Sequence, residues 1–531
     1  MERNKRWARI CAVLMVALLL VGCSSGASNS GNTVTDTKTE AKTETKTETN
    51  ATVENKRDDL VFQMGSEPAN LNVLENTTLI SSAVQYNVHG RLVESKGGEM
   101  LPSLAKEWTW NDDYTQVVFT LRDGIKFSDG SAITPEDVVY SFMAIKEKGV
   151  KLAGTYKLME SIEATGENQV TIKLSSPYSP LISNMQDAGF SVMSKAARES
   201  DPNYDMTPKV VSGPYYVDEW KPGDTIVLKA NEYYWEPVSI KTIKILFMPD
   251  ENNCLTALEG GQIDLMTGAS FALNGSTVDY LQGNKDITMM KYDSTNYNYV
   301  ILNESMDYFK DINVRKAIDY AVNKEDVLAV GVDGRGTIAS IPVVPSVSGY
   351  VQGYEPVKQD LAKAKEYMAA SAYPDGFELQ LDCPATAWIK AAQVIQANLK
   401  EIGITVKINE TDVKTQSSNN ASNNYQAFMW SFGNSTGDIS GISSIYEPEG
   451  AKNYARITDP TIIEAFRKAN GAVGAEREVY LKEAYDAIME QTHYISLYFP
   501  TAYQAATAKL NFTEDAVTAT GLPLFVRMSW K

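Results

Sequence analysis

The opening of the chain limits which part of it can fold into a globular body. Basic residues at positions 3, 5, 6 and 9 precede an apolar run over residues 10–21, and Gly22-Cys23 follows. An apolar run of roughly a dozen residues is too short to cross a hydrocarbon layer of ~30 Å as a helix, and this order is typical of a bacterial lipoprotein signal. We therefore expect residues 1–22 to be removed. Cys23 would carry the lipid and hold the protein at the cell membrane on its extracytoplasmic side, either on the outer face of the cytoplasmic membrane or in the periplasm.

The segment after Cys23 is not expected to fold. Residues 24–57 consist of Ser, Gly and Asn followed by Thr alternating with Lys and Glu, and almost no residue among them is apolar. Such a segment has no surface to bury and cannot offset the entropy lost on ordering. We predict a disordered tether over residues 23–57. The remaining residues, 58–531, are numerous enough for two or three domains.

Charge and cysteine content exclude some partners. The net charge is −18, and removal of the basic signal would make the exported part more acidic still. Nucleic acid and anionic lipid need a basic surface, so neither is expected as the main partner. Cys254 and Cys383 are the two cysteines beyond the signal and Cys23. A body of this size needs no disulfide, and we expect two free, buried thiols.

Motifs of common enzymes and metal sites are missing from the sequence. It contains no phosphate-binding loop, no Cys-x-x-Cys and no His-Glu-x-x-His. His89 and His493 stand alone, and the glycines of residues 331–336 have the wrong order for a dinucleotide fingerprint. These observations favour a binding protein over an enzyme, with no cofactor and no bound metal.

The body shows a mixed α/β pattern. Residues 60–64 and 116–121 predict strands, a short return over 125–127 follows, and Thr134, Pro135 and Asp137 predict a capped helix start. Further helices are predicted at about 314–328, 359–371, 391–402 and 477–492. Strands and helices alternate irregularly, which favours mixed α/β lobes over a barrel or a repeat array.

A series of motifs resembles the extracellular solute-binding proteins of family 5, which are the peptide, nickel and oligosaccharide receptors of ABC importers. They are MLPSLAKEW (100–108), FTLRDGIKFSDG (119–130), TPEDVVYSF (134–142), VSGPYY (211–216), NEYYW (231–235), VRKAIDYA (314–321), AKEYM (364–368), YPDG (373–376) and QVIQANLKEIGI (393–404). The resemblance spans nearly all of residues 60–530.

The resemblance implies a two-lobed α/β clamshell like that of type II (cluster C) periplasmic binding proteins, with an extra domain inserted in the first lobe. Carried onto this chain, lobe I comprises residues 58–72, 199–298 and 495–531. The extra domain comprises residues 73–198, and lobe II residues 299–494. Closure of such lobes buries a ligand, and the ligand selects the closed state.

The chain departs from the peptide-binding relatives at two positions. In those proteins a Trp on a second-lobe loop precedes, by three residues, an Asp that pairs with the peptide's ammonium group. Here Trp430 is followed at that distance by Gly433, and then by Asn434 and Asp438. Dipeptide-binding relatives also hold the ligand carboxylate with an Arg for which residues 376–402 offer no counterpart. A dedicated dipeptide receptor is therefore not expected.

The resemblance implies ligand capture for an ABC importer, with oligopeptide as the leading ligand class. An oligosaccharide receptor is the alternative, because a neutral ligand needs neither missing charge; a nickel or metal-chelate receptor, a signalling-peptide receptor and an extracellular hydrolase follow. Expected partners are the permease subunits and their ATPases, and a monomer is expected. The predicted ligand contacts are Ser66, Glu67, Asn70, Trp388, Trp430, Phe432, Gly433, Asn434 and Asp438.

Overall fold

The structure of the protein is a computed structural model that describes residues 57–531 except 76, 77, 97, 151, 269, 270, 386, 387, 449 and 451. The predicted signal, Cys23 and residues 24–56 of the predicted tether lie outside the described residues, whereas Arg57, the last residue of the predicted tether, forms an ion pair with Asp264 at 2.7 Å. In the part that is described, no helix combines the length and the apolar character needed to cross a membrane.

Strands and helices alternate along the described chain. The strands are β1 (Asp59–Met64), β2 (Val93–Lys96), β3 (Glu99–Pro102), β4 (Ala105–Trp110), β5 (Gln116–Leu121), β6 (Met159–Gly166), β7 (Gln169–Leu174), β8 (Tyr215–Lys221), β9 (Thr225–Ala230), β10 (Thr242–Phe247), β11 (Leu265–Met266), β12 (Ile287–Asp293), β13 (Asn296–Leu302), β14 (Gly336–Ile338), β15 (Glu378–Cys383), β16 (Thr405–Glu410), β17 (Ala427–Gly433), β18 (Tyr494–Thr507), β19 (Leu510–Asn511) and β20 (Ser529–Trp530). The helices are α1 (Leu79–Val88), α2 (Pro135–Lys148), α3 (Ala153–Leu158), α4 (Leu181–Asn184), α5 (Lys195–Ser200), α6 (Glu251–Glu259), α7 (Gly275–Leu281), α8 (Asp307–Lys310), α9 (Ile312–Ala321), α10 (Lys324–Gly331), α11 (Leu361–Ala370), α12 (Ile389–Lys400), α13 (Val413–Ser422), α14 (Ser440–Ser443), α15 (Thr461–Asn470) and α16 (Gly474–Gln491).

One long strand joins two halves of the main sheet. This sheet has the order β16-β15-β17-β13-β18-β11-β1-β10-β9-β8, and β12 and β14 also pair with β18. The first part of β18 pairs with β13 and β14, whereas its second part pairs with β11 and β12. We call β1 and β8–β12 with their helices lobe I, and β13–β17 with their helices lobe II. The chain passes between the lobes within β18 and again between β12 and β13.

Each lobe has its own buried apolar cores. In lobe I, Phe62 and Leu228 pack with Phe525 from the last residues of the chain. In lobe II, one core contains Tyr299 and the other contains Leu381. The apolar side chains of these cores are thus removed from water, which is the main favourable contribution to folding.

A third unit packs around a separate core. Strands β4, β5, β7 and β6 form a four-stranded antiparallel sheet, and β2 and β3 form a hairpin. Phe119, Phe142 and Phe190 are fully buried in the core of this unit. We call β2–β7 with α2–α5 the side unit. It occupies the place of the expected extra domain, whose boundaries at 73–198 stay a prediction.

Several local predictions are confirmed. The predicted strands correspond to β1 and β5, and the side chain of Thr134 accepts a hydrogen bond from the Asp137 N–H while the Asp137 carboxylate accepts one from the Thr134 N–H. The helices predicted at 359–371, 391–402 and 477–492 are α11, α12 and α16. Cys254 and Cys383 are free and buried.

Two local predictions are wrong. The single helix predicted at 314–328 is divided into α9 and α10, because the side chain of Asn323 caps α10 by accepting from the Asp326 N–H at 3.1 Å. The return predicted at 125–127 is an isolated bridge between Lys126 and Ala132 rather than a strand.

Candidate ligand-binding cavity

A cavity of about 450 Å³ lies where lobe I, the side unit and lobe II meet. Lobe I contributes residues from the end of α1, from β12 and from the C-terminal segment 514–527. The side unit contributes the β2–β3 hairpin and the end of α4, and lobe II contributes two loops. The residues that line it are Tyr86, Arg91, Glu94, Ser95, Gly98, Met100, Ser183, Gln186, Lys291, Tyr292, Asp293, Ser346, Val347, Ser435, Gly437, Glu514, Val517, Thr518, Ala519, Thr520, Leu524 and Arg527.

The charged groups of the cavity all lie on the side of lobe I and the side unit. Lys291 and Asp293 are exposed and alternate along β12, where residues two apart share one face. Glu514 is also exposed. Arg527 and Glu94 form an ion pair of 2.9 Å in the wall. Lobe II contributes only hydroxyl groups, an apolar side chain and backbone, so a ligand with charged ends would be held mainly from one side.

The lobe II wall is a loop that is fixed from within. The Asn434 amide donates to the Asp438 carbonyl at 2.8 Å, and its oxygen accepts from the Thr436 hydroxyl at 2.9 Å. Gly437 has φ 65°, and a Cβ there would lie 2.2 Å from the Gln186 amide nitrogen. Glycine is therefore favoured at 437, and the loop presents Ser435 and Gly437 to the cavity.

Asp438 is engaged by another side chain of lobe II. Its carboxylate has no exposed surface and accepts from the Arg477 guanidinium at 2.7 and 2.9 Å, and from the Ser440 N–H at 2.9 Å. The carboxylate is therefore not accessible to a ligand ammonium group in this structure. Asp438 thus stabilises the fold of lobe II, and its role as a ligand contact stays a prediction.

The predicted first-lobe loop lies outside the cavity lining. The Glu67 carboxylate accepts from the Trp220 indole N–H at 2.7 Å and from the Gly223 N–H, which fixes the loop to the β8–β9 hairpin. The Asn70 oxygen accepts from the Asn72 N–H at 3.1 Å, and Ser66 is exposed.

The aromatic residues that were predicted to contact the ligand do not line this cavity either. Trp430 packs edge-on against Phe428 and Tyr454, and Phe432 lies under the Lys452 ammonium at 4.8 Å. Trp388 is partly buried against a lobe II core. Gly433 ends β17 beside Asn296, and Asn434 is buried within its own loop. Their roles as ligand contacts stay predictions.

Sequence reasoning missed the charged lining. Arg91, Lys291, Asp293 and Glu514 belong to segments that are far apart in the chain and meet only through the fold. The alternation of Lys291 and Asp293 in a strand is the one local signal that indicates a shared charged face.

The histidines are structural in this arrangement. Burial lowers the pKa of His89 to about 4, and nearby Arg198 and Arg91 also disfavour the charged ring. His493 Nδ1 lies 2.6 Å from a carboxylate oxygen of Glu304. Among the described residues, no cluster of three or more His, Cys, Asp or Glu side chains could hold a metal ion.

Comparison with known proteins identifies the class of this fold. The glutathione-binding protein GsiB of Escherichia coli strain K12 is 28% identical over 362 residues, which cover 67% of this chain and 70% of that protein. The ABC transporter-associated periplasmic binding protein DppA of Helicobacter pylori, solved with the peptide STSA, has a TM-score of 0.75 at 24% identity and covers 90% of this chain and 98% of its own. NikA of Brucella suis, solved with Fe(III)-EDTA, has a TM-score of 0.78 at 22% identity and covers 89% of this chain and 100% of its own.

These likenesses confirm the two-lobed α/β fold, and the relatives are binding proteins rather than enzymes. The profile described as "Bacterial extracellular solute-binding proteins, family 5 Middle" matches residues 99–453, which are more than half of the chain. The chain therefore belongs to the family 5 bacterial extracellular solute-binding proteins, the binding components of ABC importers.

Proposed function

We propose that this protein captures short peptides of about three residues outside the cytoplasm and delivers them to an ABC permease. The observation that carries the proposal is the cavity of about 450 Å³ between the lobes, whose lining includes groups of both charge signs. Its size lies toward the small end of the ~300–1,000 Å³ typical of small-molecule sites. A long oligopeptide would need more room.

The charges favour a peptide over a neutral sugar. Lys291, Asp293 and Glu514 face the cavity without an ion-pair partner among the described residues. A free peptide carries an ammonium group at one end and a carboxylate at the other, so it can satisfy groups of both signs. Trp388, Trp430 and Phe432, on whose rings a sugar could stack, do not line the cavity.

Two relatives support the same ligand class. GsiB is named for glutathione, and DppA was solved with the peptide STSA. Both ligands are short and peptide-like. Anchoring through a lipid on Cys23, with residues 24–57 as a tether, completes the proposal and follows from the sequence alone.

Native mass spectrometry of protein purified without refolding tests this function. We expect the wild type to retain masses that fragment as short peptides, or to bind them from an equimolar tripeptide library. Ser346→Trp should fill the cavity and abolish retention, whereas Ser418→Trp, on an exposed position of α13, should not. A retained sugar, or no binding of any tripeptide, would contradict the proposal.

A further inference from the structure

Arg91 is a buried cation in the wall of the cavity. It lies two residues before the start of β2, is only 7% exposed and belongs to the cavity lining. Its guanidinium carbon lies 4.4 Å from the centre of the Tyr86 ring, so one face is covered by an aromatic side chain that also lines the cavity. Stacking of this kind holds a guanidinium plane in a fixed orientation.

The guanidinium of Arg91 has no carboxylate partner within the described part of the chain. Its Nη1 donates to the His89 carbonyl at 3.3 Å, and its Nε, although buried, has no hydrogen-bond acceptor. The cavity carboxylate of Glu94 is engaged by Arg527 at 2.9 Å. Arg91 therefore has donor capacity that the protein does not use.

Other buried cations of this protein do have carboxylate partners. Arg315, which is 4% exposed, lies 3.7 Å from Glu304, and Lys324, which is 2% exposed, lies 2.7 Å from Asp319. The contrast is physically informative because removing a charge from water is costly unless an opposite charge compensates it. A ligand anion would supply the compensation that Arg91 lacks.

We propose that Arg91 is the anchor for a carboxylate of the bound ligand. This inference rests on the proposed function and deepens it, because it requires the peptide to present a free carboxylate to the side-unit wall. A guanidinium can bind a carboxylate through two parallel N–H···O bonds, which fixes both position and orientation. Asp293 and Glu514, which line the same cavity, remain available to the ammonium end of the ligand.

The carboxylate can come from the C-terminus of the peptide or from an acidic side chain, and the chemistry at Arg91 is the same. Three peptide probes separate these sources. They are an equimolar tripeptide library with free C-termini, the same library with C-terminal amides, and an amidated library with Glu at the second position. Binding to wild-type protein is measured by calorimetry and native mass spectrometry.

We expect wild-type protein to bind the free acids about 10- to 100-fold more tightly than the neutral amides, because amidation removes a charge-assisted hydrogen bond. If the amidated Glu library binds as tightly as the free acids, the carboxylate comes from a side chain. Arg91→Met should remove the preference for a carboxylate, and Arg91→Lys should retain part of it. Arg467→Met, at an exposed position of α15, is the matched control and should leave the preference intact.

The outcomes separate the inference from the function on which it rests. Equal affinity of wild-type protein for the free acids and both amidated libraries would overturn the role of Arg91 while leaving peptide capture in place. An unchanged preference in Arg91→Met would do the same. Failure of wild-type protein to bind any of the three libraries would instead contradict the proposed function. The wild-type comparison needs no variant and holds even if Arg91→Met does not fold.

Discussion

Single residues at this site divide into those that build the walls and those that face the ligand. Asp438 belongs to the first group, because its carboxylate has no exposed surface and both of its oxygens bind Arg477. Breaking a buried ion pair from one side leaves the other charge without compensation. The consequence is a stability effect without an effect on ligand chemistry.

Asp438→Ala is therefore expected to lower the free energy of unfolding by about 3–5 kcal/mol, measured by urea denaturation. Peptide affinity of the folded fraction should stay within about twofold, as measured by calorimetry. Glu378→Ala is the control, since Glu378 pairs with Lys407 at the surface and such pairs contribute less than about 1 kcal/mol. A large loss of affinity with unchanged stability would restore Asp438 as a ligand contact.

His89 makes stability depend on pH. Its folded pKa of about 4 lies below the ordinary value of 6.5 because the ring is buried. Acidification from pH 6.5 towards pH 4 therefore protonates the unfolded chain but not the folded one, and folding stability is lost over that window. Between pH 7 and pH 5 the loss from this group is about 2 kcal/mol.

His89→Gln should remove this part of the pH dependence. The measurement is the free energy of unfolding at pH 7 and pH 5 for both proteins, where the wild type is expected to lose about 2 kcal/mol more than the variant. If the free energy of unfolding falls equally in both proteins between pH 7 and pH 5, His89 does not have the lowered pKa that its burial predicts.

The residue scale is also where sequence reasoning reached its limit. It selected Trp430 and Phe432 as ligand contacts, which stays a prediction, and it did not indicate that both rings contact neighbouring side chains of lobe II. Arg91 has no feature in the sequence that separates it from other arginines. Its significance depends on burial, on the Tyr86 ring and on the position of Glu94, which only the folded chain brings together.

Elements were predictable where the signal is local. The start of α2 is an example, because Thr134, Pro135 and Asp137 are close in sequence and make a capping box within the same turn. The break between α9 and α10 was missed for the opposite reason. Asn323 interrupts an apolar pattern that continues on both sides, and its N–H donates to the Asn398 side chain of another helix.

Thr134→Ala should destabilise the protein by about 1 kcal/mol, because the Asp137 N–H loses its side-chain acceptor. The measurement is equilibrium unfolding at neutral pH, with Glu147→Ala at an exposed position near the end of the same helix as the control. An equal effect of both substitutions would show that helix propensity, and not the cap, determines the change.

At the scale of the whole molecule, the lobes were not predictable from periodicity. The strand β18 pairs with β13 in one lobe and with β12 in the other, and these pairings join residues about two hundred positions apart. Local patterns do not encode such pairings, so the clamshell followed only from resemblance to a family. The cavity charges depend on the same long-range arrangement.

Hydrogen bonds join the side unit to lobe II in this structure. The Gln186 amide donates to the Thr436 carbonyl at 2.8 Å, and the Ser440 hydroxyl donates to the Asn184 oxygen at 3.3 Å. These bonds exist only when the two surfaces meet. They therefore stabilise the closed state relative to an open one, and ligand release must break them.

Ser440→Ala tests this coupling because Ser440 does not line the cavity. Loss of one hydrogen bond of about 0.5–1.5 kcal/mol should weaken peptide affinity about 2- to 10-fold, mainly through faster dissociation measured by stopped-flow fluorescence. Ser444→Ala is the matched control, since its hydroxyl bonds to the Gly441 carbonyl within lobe II. Dissociation rates that are equal in Ser440→Ala and wild-type protein would show that this contact does not hold the lobes together. Closure would then depend on the ligand and the remaining contacts alone.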